Sequence, residues 1–346
     1  MEQIKQETQS LLLTHLGDSV PPYLKDCLHQ FRLWNLQESD ANIFLILDPC
    51  HRDGPTAGYW SSLASRYLVT LVFTDILPLT QHHKNFLEQY EGDLQFRKGY
   101  WRHVKERFFF MEELMVKYNL TNSLAIEYDV LFYTNLKELI SSLQSLEGSN
   151  VLRYVMDNEE KGHPACMFIP SSSAIEAFNR FLLEIVKGPW EDMQSLALYI
   201  KKGSDYALPL PVLSHEVNKR QKIRVSPDKN RRSDNPWFLS YSSEQLPCLF
   251  DSLVVGQYVG GIDSRNTGGE KVSNYENESA LYTFHELDFK WKKNVKNYLW
   301  QPQVCGKPLC MIHVHSKALS CFLSDRKSEP RDDYDVGAIN KGLLPN

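Results

Sequence analysis

No stretch of this 346-residue chain approaches the ~18–20 consecutive apolar residues that a bilayer-spanning helix needs, so the sequence offers no membrane span. Its opening, MEQIKQETQSLLLTHLGDS, has too short an apolar stretch for a secretory leader and no small-residue cleavage site; a cytoplasmic protein is expected. The matches to N-x-S/T at Asn119 and Asn277 are then read as chance occurrences. Phosphate-cradling signatures are also missing. There is no G-x-x-x-x-G-K-[ST] and no G-x-G-x-x-G, which leaves P-loop and dinucleotide readings without support. Charge of one sign is lacking too: 38 basic against 43 acidic side chains leave a net charge of -5. Such a chain has no global attraction to nucleic acid, and any recognition of phosphate must be local. Cysteine is sparse and odd in number, with seven residues (Cys27, Cys50, Cys166, Cys248, Cys305, Cys310, Cys321). No second pair joins Cys305 and Cys310 to complete a zinc knuckle, and reduced thiols are expected.

What is present fits an ordinary globular core, with 42% hydrophobic and 23% charged residues. Residues 1–41 are taken as an N-terminal helical segment. NIFLIL (Asn42–Leu47) and YLVTLVF (Tyr67–Phe73) read as buried strands of a parallel sheet, with ligand-facing loops at their C-terminal ends. The Gly- and Pro-containing stretch His51–Tyr59 between them reads as a loop. Val104, Phe108, Met111, Met115 and Tyr118 recur at helical spacing. Ser123–Ile126 follows as a strand that runs into Glu127-Tyr128-Asp129. Leu136, Leu139, Ile140 and Leu143 mark another helix, and Val151–Val155 and Ala165–Ile169 two more strands. Ser173, three residues before Glu176, predicts a capping box. This alternation is that of a doubly wound α/β fold. We place one domain over 42–323, with a nucleotide-binding half at about 42–150 and an acceptor half at about 151–323. The polar tail 324–346 is expected to be flexible. Lys219–Arg232 holds seven basic residues and one Asp without interleaved aromatics for base stacking; it reads as a solvated or lid-forming loop.

Four constellations could carry chemistry. Glu127 and Asp129 stand at i and i+2 of an extended segment, so both carboxylates point to one side. Where the strand opens into a loop they can converge on a hard cation and its phosphates, although a solvated strand end has the same pattern. His313 and His315 likewise share a face if extended. Imidazole suits Mn²⁺ or Zn²⁺, and Lys317 can neutralise a phosphate; ordinary strand histidines are the bland alternative. The glycines of VVGQYVGGID, Gly260 and Gly261 with Gln257 and Asp263, permit either close approach of a ligand or a turn. Glu191-Asp192 lies on a first helical turn, as dipole-complementing residues do, and a carboxylate there can also serve as a general base.

In this order, FRKGYWRHVKERFFFMEELM, LAIEYDVLFYTNL, FDSLVVGQYVGGIDSRN and MIHVHSKAL resemble a family of bacterial and viral glycosyltransferases with the GT-A fold. EYD stands in the place of the DxD motif, with Glu at its first position, and HVHSK in that of the late metal and diphosphate element. The resemblance implies a Rossmann-like fold with a mixed, mostly parallel sheet flanked by helices. It implies Mn²⁺ or Mg²⁺ held by Asp129 with Glu127 and by His313 or His315, and Lys317 on the diphosphate of a nucleotide-sugar donor. Arg97, Trp101, Arg107 and Phe108 would lie near the nucleotide or support the EYD loop. Gln257, Gly260, Gly261 and Asp263 would line the sugar and acceptor pocket, and Asp192, beside Glu191, would be the base toward a glycan or other hydroxyl acceptor. Two further readings are carried: a silent nucleotide-sugar-binding relative, and a metal-dependent hydrolase built on His313 and His315.

Overall fold

The computed structural model describes residues 9–36, 41–220, 236–269, 272 and 274–330. Most of the basic segment and of the tail singled out above lies outside them. The helices are α1 (Leu24–Trp34), α2 (Cys50–Asp53), α3 (Ala57–Tyr67), α4 (Gln81–Gln89), α5 (Tyr100–Tyr118), α6 (Leu136–Gln144), α7 (Ser172–Glu184), α8 (Asp192–Ile200), α9 (His215–Arg220), α10 (Trp237–Ser240) and α11 (Val254–Gly260). The strands that form the main sheet are β1 (Ser10–His15), β2 (Asn42–Leu47), β3 (Val69–Phe73), β4 (Ser123–Ile126), β6 (Leu152–Asn158), β7 (Lys161–Ile169) and β8 (Ala207–Leu210). Short strand β5 (Val130–Phe132) pairs with β12 (Met311–His313), and β9 (Phe289–Lys293), β10 (Trp300–Val304) and β11 (Lys307–Pro308) make a separate three-stranded sheet.

The main sheet has the order β3-β2-β1-β4-β7-β6-β8. Neighbours within β3-β2-β1-β4 are parallel, as are β6 and β8, while β7 is antiparallel to both of its neighbours. It is thus a mixed, mostly parallel sheet, as expected. Its inner apolar strands are buried because helices cover the faces, while edge strand β3 is only partly covered. The segment taken as helical at the N-terminus in fact supplies a strand as well as a helix: SLLLTH is three leucines flanked by polar residues, and it enters the middle of the sheet as β1. Its neighbours explain why, since the register Ser10–His15 against Asn42–Leu47 buries both apolar runs together.

Other boundaries differ for local reasons. The His51–Tyr59 stretch is helical in large part, because Pro49 and Thr56 precede α2 and α3 and their backbone starts the first turn. Leu68, at φ 53°, ends α3 in the left-handed region and delays β3 to Val69. The cap of α7 is Ser171, whose hydroxyl accepts from Ala174 N–H, rather than Ser173. VVGQYVG is helix α11, not a bulge, and Gly261 at φ 74° terminates it. Asn277 is buried and donates its amide to Asp157 at 3.2 Å, so its N-x-S match is a structural side chain.

The sequential strands β1, β2 and β3 run to one side, and β4 then lies on the other side of β1. Reversal of strand order opens a crevice beyond the carboxyl ends, where ligands of open α/β sheets bind. Glu127 is the first residue after β4. Among the described residues no helix is long and apolar enough to cross a membrane.

Candidate metal centre and its surroundings

Chain topology brings two distant segments together at that crevice. After Glu127-Tyr128-Asp129 the chain continues as β5, and β12 pairs with it antiparallel, setting His313 opposite Val130. The ladder is extended by Val314 N–H, which donates to Asp129 C=O at 2.9 Å. Glu127, Asp129 and His313 then offer one ligand atom each within 4.8 Å of one another. His313 Nε2 lies 3.1 Å from Asp129 Oδ2 and 3.7 Å from a Glu127 carboxylate oxygen. Both ring nitrogens of His313 are buried with no well-formed hydrogen bond among the described residues, an arrangement that is costly unless a ligand or charge occupies it.

A carboxylate pair, one imidazole and a crevice make a donor set fitted to a divalent cation with open positions. Lys317 pairs with Asp129. Burial alone would push the Asp129 carboxyl up, but His313 and Lys317 overcome it and hold the group well below the usual carboxylate range. Burial would lower the His313 imidazole, yet the Asp129 and Glu127 charges raise it. The imidazole and the ammonium group thus compensate the carboxylates, and an ion bound there would take over that role from a deprotonated His313.

Support comes from behind. Asp251 is buried and accepts three backbone bonds, from Val255 (3.0 Å), Gly256 (2.9 Å) and His313 (3.1 Å). It joins the start of α11 to the strand that carries His313. Gly256 is required there, since a Cβ would land on the His313 carbonyl oxygen. Neither residue was singled out from the sequence. The signal for them was an Asp four and five positions ahead of two N–H groups that open a helix, within FDSLVVGQ.

Arg107, on α5, bridges Glu127 and Asp192 at 2.5 Å each. Asp192, expected to be a base open to an acceptor, is instead clamped by this guanidinium, with its side chain only 11% exposed. Burial pushes its carboxyl up and Arg107 counters. The neighbouring Glu191 is the N-cap of α8, with Gln194 closing a capping box. Tyr128, between the two carboxylates, turns the other way, and its ring packs against Tyr23 (5.7 Å) and His15 (5.4 Å). Lys317 lies 5.9 Å from the Tyr23 ring.

The remaining expected residues are placed less uniformly. His315 stays out of the cluster: its Nδ1 accepts from Asp263 N–H at 3.3 Å, while Asp263 itself pairs with Arg265 at 2.5 Å. The two histidines of H-x-H therefore do not act as one ligand pair. The Phe108 ring is fully buried against Phe178 at 5.1 Å; on a helix that buries most of one side, that position faces the core. Gln257 is buried on α11 beside Gly260, whose own missing Cβ would meet Val314 at 3.1 Å, and Gly261 ends the helix. Arg97 is exposed, in left-handed backbone at φ 44°, with its guanidinium over Phe96 at 5.1 Å. Trp101 stacks on the same ring at 5.6 Å. Five of the seven cysteines are buried.

The sequence matches no family model and no curated protein. Solved structures overlap it weakly. Mouse xyloside xylosyltransferase 1 aligns over 62% of this chain and 90% of its own with 11% identity and a TM-score of 0.41. The galactosyltransferase LgtC, in complex with donor and acceptor sugar analogues, aligns over 64% of this chain and 81% of its own with 10% identity and the same TM-score of 0.41. The PaToxG glycosyltransferase aligns over 56% of this chain and 69% of its own, at 11% identity and a TM-score of 0.40. Overlap at that level carries no assignment of activity.

Proposed function

We propose that this chain is a metal-dependent glycosyltransferase that moves a sugar from a nucleotide-diphosphate donor to a hydroxyl acceptor. The observation that carries this reading is the convergence of Glu127, Asp129 and His313 beyond the carboxyl end of β4, where strand order reverses. Asp129, Glu127 and His313 would hold the cation, and the imidazole favours Mn²⁺ over Mg²⁺. When bound, such an ion supplies Lewis-acid stabilisation of charge on a departing diphosphate. Lys317, already in the cluster, is the second cation available to that diphosphate. Arg107 fixes the Glu127 carboxylate and with it the first position of the EYD segment. His315, turned to the Asp263 backbone, speaks against a hydrolase built on both histidines. The GT-A assignment and the cytoplasmic location belong to the same proposal.

The test is thermal stabilisation by a panel of UDP-, GDP- and CMP-sugars, each with Mn²⁺, Mg²⁺ or EDTA. A ligand at 100 times its Kd adds about 2.7 kcal/mol to folding stability. Stabilisation by one nucleotide class that vanishes in EDTA and in Asp129→Asn is expected. Stabilisation that survives Asp129→Asn would remove the metal assignment, and binding without turnover would leave a silent relative.

A further inference from the structure

A cleft of about 490 Å³ opens between the segment after α4, the start of α5 and the connector that leads into α8. Its volume falls in the range of small-ligand sites. Three aromatic rings, Tyr90, Trp101 and Trp190, line it. Two of the rings are seated on glycines. A Cβ at Gly188 would stand 2.6 Å from the Trp190 ring, and one at Gly92 would land on the Tyr90 ring. The connector and the segment after α4 thus each fold a ring back over a residue without a side chain. Trp190 remains 38% exposed, so its ring is accessible for stacking.

The polar part of the lining is equally specific. Glu91, Asp93 and Glu191 face two lysines, Lys105 and Lys187. Three carboxylates against two ammonium groups give no net attraction for phosphate or another polyanion. Carboxylates accept from hydroxyls, lysines donate to them, and flat rings pack on apolar C–H faces. A neutral saccharide offers both kinds of surface at once.

The cleft is also tied to the metal centre. Glu191 lines it, and the next residue, Asp192, is held by the guanidinium that holds Glu127. Trp101 and Lys105 line the cleft from the same helix that carries Arg107. The cleft and the ion pairs Asp192–Arg107–Glu127 are thus linked through adjacent residues at the start of α8 and through α5.

We propose that this cleft seats the acceptor, as a neutral oligosaccharide stacked on Trp190 and Trp101 with hydroxyls on Glu91 and Glu191. The role as acceptor site rests on the transferase reading; the class of ligand rests on the cleft alone. The experiment is binding of the full chain, in EDTA and without nucleotide sugar, to immobilised neutral gluco-, galacto-, manno- and N-acetylglucosamine oligosaccharides, with a sulfated glycan as the anionic control. Binding to at least one neutral sugar is expected, with a loss of tenfold or more in Trp190→Ala, recovery in Trp190→Tyr and a smaller loss in the exposed Glu91→Ala. Absence of binding to every neutral sugar, preference for the sulfated glycan, or full binding by Trp190→Ala would overturn it. If Trp190 governs binding but no sugar of the panel accepts transfer from any donor, the cleft stands as a saccharide site and the transferase reading fails. If transfer occurs and its KM for the sugar is the same in Trp190→Ala, the acceptor sits elsewhere and this inference fails by itself.

Discussion

Two single residues decide how firmly the centre is held. Gly256 leaves room for the His313 carbonyl, and a Cβ in its place would also stand 2.9 Å from the Asp251 carboxylate. Both atoms belong to fixed backbone or a triply bonded carboxylate, so the strand must move. Gly256→Ala is therefore expected to cost about 1–3 kcal/mol in urea unfolding and to weaken Mn²⁺ binding in the same preparation, because His313 moves with the strand. A stable variant with unchanged Mn²⁺ affinity would show that the α11–β12 contact is loose. Arg107 is the second case. Removing one partner from a buried charge cluster leaves the others uncompensated, a loss of about 3–5 kcal/mol. Arg107→Met should lose that much, and the double variant Arg107→Met/Asp192→Leu should recover part of it. If the two losses simply add, the pair Arg107–Asp192 is not coupled in the way its 2.5 Å contact implies.

Between elements, α4 and α5 are joined by a buried polar network that no apolar pattern announces. His83 lies 2.9 Å from Glu113 and 3.5 Å from Glu106, and its ring stacks on Phe109 at 5.1 Å. Glu106 is also held by Arg102 at 3.1 Å. Burial alone would lower the His83 imidazole, but Glu106 and Glu113 raise it from the usual 6.5 to about 9. Burial would raise Glu106, whereas His103, His83 and Arg102 bring it from 4.5 to about 2. The His83 contribution is complete below pH 6.5 and is lost as pH rises to about 9. That of Glu106 is complete above pH 4.5 and is lost as pH falls toward 2. Between pH 6.5 and 9 the wild type should thus lose roughly 2–4 °C of Tm for each kcal/mol of linkage, and His83→Gln should show a flatter profile. An identical slope in both would mean that His83 does not carry the charge. The limits of sequence reading follow the same division. Asn42–Leu47 and Ser123–Ile126 were legible to the residue, because short apolar runs that are buried on both faces and bounded by polar residues have few alternatives. β1 was not, since three apolar residues do not separate strand from helix until their partner is known. In the site, i and i+2 spacing was enough to bring Glu127 and Asp129 together. Which histidine joins them was decided by the β5–β12 register, and the fate of Asp192 by a helix far away in the chain; neither is a property of local spacing.

For the molecule as a whole, the ligand set is a test of folding as much as of chemistry. Mn²⁺ alone should raise Tm, since it binds the assembled centre and not the unfolded chain, and the rise should vanish in Asp129→Asn. An equal rise in that variant would place the ion elsewhere. The pairing of β5 with β12 has a consequence of another kind. Glu127 and Asp129 leave the ribosome long before His313 and Lys317, with most of the sheet already complete in between. Until the last strand emerges, the nascent protein carries two adjacent carboxylates with no imidazole or ammonium to meet them. The sheet can mature early, but the full set of Glu127, Asp129 and His313 exists only once β12 has paired with β5, so any ion that needs all three is taken up by the completed chain alone.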